Sequence, residues 1–257
     1  MNQSKLAGTL FVLVLALMTV PLFRAADEPN LGEIVLEAKG YVVPVNQITV
    51  GSRVSGQVVQ SGLEEGKRVK AGDVLTRLDP SEYEGAFLIA RADLKVAEAG
   101  LAKAKEGMSK PDMEIALAKM ELARAQVELA KSRLDATSIR APINGTILVK
   151  RADVGTLINP NGNQGIASLC DMADLRNIEV ELWVQERDLA KIVKGQKCQI
   201  RLEAYPDKAY RGSVSRILPI ADRAKGAVGV RVRVDIPNGD ESFRPEMAAV
   251  VSIGSKK

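Results

Sequence analysis

The residues best suited to soft-metal or redox chemistry in this sequence are two cysteines, Cys170 and Cys198, and three methionines, Met108, Met113 and Met120. Histidine is absent, which removes His-based proton transfer, His-activated nucleophiles and most zinc sites. Cys198 alternates with Ile200 and Leu202 in a strand-like run, so it reads as a buried free thiol packed as a small hydrophobe. A disulfide to Cys170 is the alternative, left open because spacing along the chain does not report proximity. The methionines fall at or near a seven-residue apolar repeat, where methionine fills core rather than capturing metal. No catalytic, cofactor-binding or metal-binding residue is assigned, and the chain reads as non-enzymatic.

The methionine-bearing stretch, residues 80–137, is helical in pattern. Tyr83, Phe87, Ala90, Leu94, Ala97, Leu101, Ala104 and Met108 recur at alternating spacings of four and three, which puts one apolar stripe along a helix. Ser81 and Glu84 predict a capping box at its start. Gly107 stops the helix, and Ser109 with Pro111 starts a second. That second helix carries its own stripe: Met113, Ala116, Met120, Ala123, Val127, Ala130 and Leu134. Two matched stripes joined by a tight turn predict an antiparallel coiled-coil hairpin, each arm about 35–40 Å long at 1.5 Å per residue. Further apolar rows, Ile89 and Val96 on one arm and Ile115, Leu122 and Leu129 on the other, lie outside the stripes. They read either as a shield over the seam or as lateral contacts with a neighbouring subunit.

The hairpin interrupts a repeat. Residues 54–80 combine turn glycines with alternating apolar residues, the signature of short strands around a small core. Residues 141–171 repeat it: Gly145 falls on Gly56, Ile147 on Val58, Gly155 on Gly66 and Ile158 on Val69. After a slip of two residues, Ile166 and Leu169 fall on Leu75 and Leu78. Such self-similarity predicts two similar halves packed face to face. From Asp174 onward, strand-like runs separated by turn signals, with one short helix closed by Gly195, predict a small closed β-barrel. The segment 31–50 is expected to supply further barrel strands. Glu246, in the run "RPEM", disfavours a left-handed turn residue there.

The net charge of +4 is spread along the chain and aromatics make up 4% of it, which argues against nucleic-acid binding. The N-terminus has Lys5 ahead of an apolar run over residues 6–23, about 27 Å as a helix and close to a bilayer's hydrocarbon thickness. Cleavage after Ala26 would leave Arg24 at the −3 position, and cleavage after Ala25 would leave Phe23 there, both poor for signal processing. Residues 1–26 therefore read as a signal-anchor with a cytoplasmic N-terminus; a cleaved signal is the alternative. Either way the body lies outside the cytoplasm.

The pieces "VSGQVVQSGLEEGKRVKAGDVLTRLD", "TSIRAPINGTIL", "VQERDLAKIVKGQKCQIRLEAYPDKAYRGSVSRI" and "FRPEMAAVVSI" occur in the order found in the periplasmic adaptor (membrane fusion, HlyD-like) family of bacterial efflux and export pumps, which the chain resembles from about Val35 onward. The resemblance implies an α+β, elongated, multi-domain chain: a lipoyl/biotinyl-like flattened β-barrel split by the coiled-coil α-hairpin, plus a small β-barrel domain. The expected divisions are lipoyl-like half 1 at 51–79, hairpin at 80–137, lipoyl-like half 2 at 138–170 and barrel at 171–254, with a membrane-proximal domain absent or reduced. It also implies an adaptor bridging an inner-membrane transporter of ABC or RND type to an outer component, self-associating as a ring, commonly hexameric, in the periplasm. Docking is expected at the hairpin tip through Lys105, Glu106, Gly107, Met108, Ser109 and Lys110. Channel-docking relatives often carry Arg, then Leu four residues on, then Ser seven further. Here Ala97 stands four before Leu101 and Ser109 eight after it, which puts that mode in doubt. A lipoyl or biotinyl carrier is the contrasting reading. Lys67 and Lys70 are then the lysines to consider, although neither lies on the hairpin such carriers modify. A scaffold without a transporter is the third.

Overall fold

The structure is a computed structural model that describes residues 33–107, 109–162, 165–237 and 242–255. The first strand, β1 (Ile34–Pro44), belongs to a closed barrel. Four short strands follow: β2 (Gln47–Gly51), β3 (Gly56–Ser61), β4 (Arg68–Val69) and β5 (Val74–Leu78). Two helices come next, α1 (Ser81–Lys105) and α2 (Lys110–Asp135). Then come β6 (Ser138–Arg140), β7 (Gly145–Lys150), β8 (Leu157–Ile158) and β9 (Ser168–Ala173).

Strands β2 to β9 form two four-stranded sheets, in the orders β2-β9-β7-β4 and β6-β5-β3-β8. Each sheet draws strands from both sides of the helices, and the two sheets are copies of one another. Gly56 pairs with Ile158, and Val69 with Gly145, which is the same pair with the halves exchanged. The amide of Val58 donates to Thr156 O at 2.9 Å and that of Ile147 to Lys67 O at 3.0 Å. The amides of Gly155 and Gly66 donate back to Val58 O and Ile147 O, both at 2.8 Å. Gly66 and Gly155 take φ of +83° and +89°, a turn conformation that glycine adopts without a Cβ clash.

The pairing corrects the repeat. Val58 faces Leu78 and Ile147 faces Met172. Met172 rather than Leu169 is thus the counterpart of Leu78, and Leu169 that of Leu75. The second half holds five more residues between paired positions, 25 from Ile147 to Met172 against 20 from Val58 to Leu78, so the slip is five and not two. The extra length sits in the 159–166 loop, where the identity of aliphatics hides the true register. The repeat also reaches further back than residue 54. Val50 pairs with Cys170 and Ile139 with Thr76, so β2 and β6 are matching first strands. The segment 31–50 therefore divides, β1 to the barrel and β2 to the sandwich. Strand β9 likewise runs past residue 170, into the stretch expected to open the barrel.

The barrel adds β10 (Ile178–Gln185), a 3₁₀ turn at Glu186–Lys191, β11 (Lys197–Leu202), β12 (Tyr205–Asp222), β13 (Ala227–Asp235) and β14 (Ala248–Gly254). Its order is β1-β10-β13-β12-β11-β14, closed by antiparallel pairing of β14 with β1. Alternate residues point inward, and Val42, Val180, Leu182, Ile200, Val230, Val232 and Val251 are fully buried there. The stretch expected as a short helix is the 3₁₀ turn, followed by Gly195 at φ +84°.

The helices run antiparallel: residues 82–86 of α1 lie across from residues 126–133 of α2, and residues 93–100 across from residues 112–123. The stripe residues are the covered ones, with Ala90, Ala104 and Ala123 buried; Met113 is exposed. The capping box at Ser81 does not form. The Asp79 carboxylate takes its place, accepting from Ser81 N at 3.0 Å and Ser81 Oγ at 2.6 Å. Ser109 caps α2 as expected, accepting from Asp112 N.

Glu246 departs from expectation, with φ +66°. The turn is held by Met247 N donating to Arg244 O at 3.3 Å and by Glu246 N and Met247 O bonding to Val42. Pro at the second position and positive φ at the third is the type II arrangement, and the ladder to β1 keeps it although glutamate costs about 1–2 kcal/mol there. Glu246→Gly should raise stability by about 1 kcal/mol. Thermal unfolding of the variant beside the parent chain checks this, and an unchanged or lower midpoint contradicts it.

Candidate docking surfaces

The chain's hairpin presents its tip to solvent. Lys105 ends α1, Glu106 caps it, and Gly107, Ser109 and Lys110 are exposed around the turn; Met108 lies outside the described residues. At the other end the hairpin is clamped to the sandwich. Tyr83 Oη donates to Ser55 O at 2.7 Å, and Leu78 N donates to Thr137 O at 2.9 Å.

The rows outside the stripes are in water in the single chain. Ile89, Val96, Ile115, Leu122 and Leu129 keep 66%, 72%, 55%, 61% and 53% of their surface, an unusual density of exposed aliphatics for a two-helix arm. Val96 and Ile115, from opposite helices, line one open groove of about 540 Å³ together with Ala97, Gly100, Ala116 and Ala123. Sequence reasoning missed Leu88 and Leu117, which are exposed on the same arms. Their signal was an apolar residue with no partner at heptad spacing.

The two cysteines stand in separate cores, Cys170 in the sandwich and Cys198 in the barrel, both free. The disulfide alternative is thereby removed. Burial, with a smaller push from the Asp171 charge, drives the Cys170 thiol up to about 11. Burial drives Cys198 up to about 12. Both are neutral thiols at physiological pH and poor nucleophiles. No cluster of three or more His, Cys, Asp or Glu that could hold a metal occurs among the described residues. Lys67 and Lys70 lie in the turns flanking β4, where Lys67 Nζ donates to Gly62 O at 3.2 Å and Lys70 N to the Asp73 carboxylate at 2.8 Å.

Buried charge is spent on joints instead. Asp171 sits in the sandwich against Thr49 Oγ1 at 2.7 Å and the Arg151 guanidinium. Burial opposes its ionisation, but these partners outweigh that and hold its carboxyl below the usual range. Asp174 stands where the chain crosses between sandwich and barrel. It accepts from Arg176 Nε at 2.9 Å and Nη2 at 3.0 Å, and from Asn177 Nδ2 at 3.2 Å. The Arg176 hydrogen bond is the main reason its carboxyl is held low, against a smaller opposing effect of burial. Backbone bonds from Val45 N to Asn177 O at 3.0 Å and Asp174 N to Asn46 O at 3.2 Å continue the ladder through the crossing.

Comparison with known proteins agrees with this geometry. Residues 46–169 match the family described as "RND MFP, barrel-sandwich hybrid domain", and residues 178–257 match "CusB-like, beta-barrel domain". The chain belongs to the membrane fusion protein, or periplasmic adaptor, family. It is 28% identical over 233 residues to multidrug resistance protein MdtA of Klebsiella pneumoniae, covering 82% of this chain and 56% of that protein. The chain thus spans about half the length of the curated relatives it matches. Among solved structures, a MacA-MexA chimeric protein containing the Pseudomonas aeruginosa MexA alpha-hairpin domain superposes with a TM-score of 0.77 at 25% identity, covering 86% of this chain and 82% of the chimera. ZneB of Cupriavidus metallidurans superposes with a TM-score of 0.59 at 26% identity, covering 86% and 98%.

Because both thiols are buried and neutral, maleimide at pH 8 should label neither cysteine of the folded chain, with a thiolate fraction of about one in a thousand at Cys170. Denaturation should expose both. Mass spectrometry before and after denaturant reads the outcome, and a label on the folded chain would mean that a core opens.

Proposed function

We propose that this protein is a non-catalytic adaptor of the bacterial cell envelope. It bridges an inner-membrane transporter to an outer component and supports efflux or export. The observation that carries the reading is the helical hairpin set between the halves of a split sandwich, with an open tip and exposed apolar rows. The matched domain description and the multidrug-resistance name of its relatives favour a transporter of RND type over ABC type. The body lies in the periplasm and residues 1–26 hold it to the inner membrane. Those residues fall outside the described ones; no helix among the described residues is long and apolar enough to cross a membrane.

In this reading the heptad stripes pack as a coiled coil, and tip residues Lys105, Glu106, Gly107, Met108, Ser109 and Lys110 dock on the outer component, an outer-membrane channel being one candidate. Gly107 and Met108 offer close approach and an apolar contact, while Lys105 and Lys110 steer toward an acidic surface. Ile89 and Val96 of one hairpin face Ile115, Leu122 and Leu129 of the next around a ring of six subunits. Burying such rows is favourable by about 25 cal/mol per Å².

Two variants test this in a strain lacking its own copy of the gene. Charged residues in place of residues 107–109 should abolish tolerance to efflux substrates while the chain folds and accumulates normally; normal tolerance would remove the tip from the mechanism. Ile115→Lys with Leu122→Lys should weaken self-association in sedimentation and cross-linking, with thermal stability changed by no more than about 0.5 kcal/mol because both sites are exposed. Unchanged assembly and unchanged efflux would reduce the row to local packing.

A further inference from the structure

The barrel has two ends of different character. At one end β1 and β10 run into the sandwich through Pro44 and Ile178. Antiparallel closure places the start of β1, the end of β10, the β12–β13 turn, the start of β11 and the end of β14 together at the other. This free end carries three exposed aliphatics, Ile34, Val193 and Ile220, at 53%, 42% and 77% of their surface. Among the described residues the same end holds six cations (Arg187, Lys191, Lys194, Lys197, Arg223, Lys225) against four carboxylates (Glu33, Glu186, Asp188, Asp222).

The pairing of these charges matters more than their number. Lys191 bonds Asp188 at 2.7 Å, and Lys225 lies 3.4 Å from Asp222 while stacking over Trp183 at 4.0 Å. Lys194, Lys197 and Arg223 have no carboxylate partner among the described residues. Isolated aliphatics among unpaired cations, on strand ends (Ile34, Ile220, Lys197) and in the turns between them (Val193, Lys194, Arg223), match a lipid headgroup layer, where apolar side chains enter and cations meet phosphate. The path of the chain points the same way. Nine residues separate the apolar run at 6–23 from Glu33, and nine extended residues reach about 30 Å at most. Glu33 enters the fold at this free end.

We infer that the free end of the barrel is a lipid-binding face, seated on the anionic surface of the membrane that the N-terminal segment enters. The inference rests on residues 1–26 remaining as an anchor. Ile34, Val193 and Ile220 insert at headgroup depth, and Lys194, Lys197 and Arg223 contact lipid phosphates. The anchor then does more than tether: with this face seated, the barrel axis stands on the bilayer and the sandwich is directed away from it.

The test uses the full chain in vesicles of phosphatidylethanolamine and phosphatidylglycerol, without any transporter. The native cysteines are buried, so Ile220→Cys takes a single fluorophore, as does Ala102→Cys on α1 as the reference. With quencher-bearing lipid headgroups, the label at 220 should be quenched about twofold more than the label at 102. That excess should vanish in phosphatidylcholine vesicles and in a background of Lys194→Glu, Lys197→Glu and Arg223→Glu, all exposed positions. A chain that floats with the vesicles but shows equal quenching at both positions overturns the face and leaves the anchor standing; the free end then meets a protein instead. A chain that does not float overturns both.

Discussion

Neither half of the sandwich can complete a sheet by itself, and the rest of the molecule depends on that. Strands β3 and β7 each have one neighbour in their own half, β5 and β9, and find the second only in the opposite half, through the mirrored bonds of Val58 with Thr156 and Gly155, and of Ile147 with Lys67 and Gly66. Unpaired strand edges at a buried interface are costly, so the halves form together. Whatever lies between them must leave and return at fixed points. Since β5 and β6 are neighbours, with Thr76 beside Ile139, helices leaving one and entering the other must start side by side and run antiparallel. The hairpin is therefore a consequence of the sandwich, aimed by it and free only at the tip.

The same constraint fixes the barrel. Strands β2 and β9, the outer and inner members of one sandwich sheet, continue into β1 and β10 of the barrel. The crossing is a two-stranded ribbon braced by the Asp174 carboxylate. Paired strands thus join sandwich to barrel, as they join sandwich to hairpin. Within these bodies the thiols are buried and neutral, and Asp171 and Asp174 are held by structural partners.

Much of this was legible in the residues. The heptad stripes locate the covered side of each helix because alternating steps of four and three keep one apolar face toward the neighbouring helix, whereas the rows at steps of seven alone are exposed. The glycine pairs Gly56 with Gly145 and Gly66 with Gly155 expose the repeat because backbone geometry there excludes most side chains. At Gly145 an added Cβ would lie 2.7 Å from Ala173 O. The register after the 159–166 loop was not legible, since Leu169 and Met172 both satisfy an apolar pattern and only hydrogen bonding distinguishes them. Strand β2 was assigned to the wrong body for a related reason: "QITV" is good strand sequence in either. Glu246 shows the limit of local propensity, because the ladder to Val42 imposes a conformation that glutamate disfavours. The rows read as lateral contacts were legible as apolar residues off the stripes, but exposure is a property of the fold, so Leu88 and Leu117 escaped notice.

If the molecule works by contact, its partner is the decisive observable. The most direct measurement is purification of the tagged full chain from native membranes in mild detergent, with quantitative mass spectrometry of what accompanies it. The account predicts that a polytopic inner-membrane transporter co-purifies in fixed proportion to the chain. A chain recovered without any transporter, from membranes in which its efflux phenotype is intact, would contradict it.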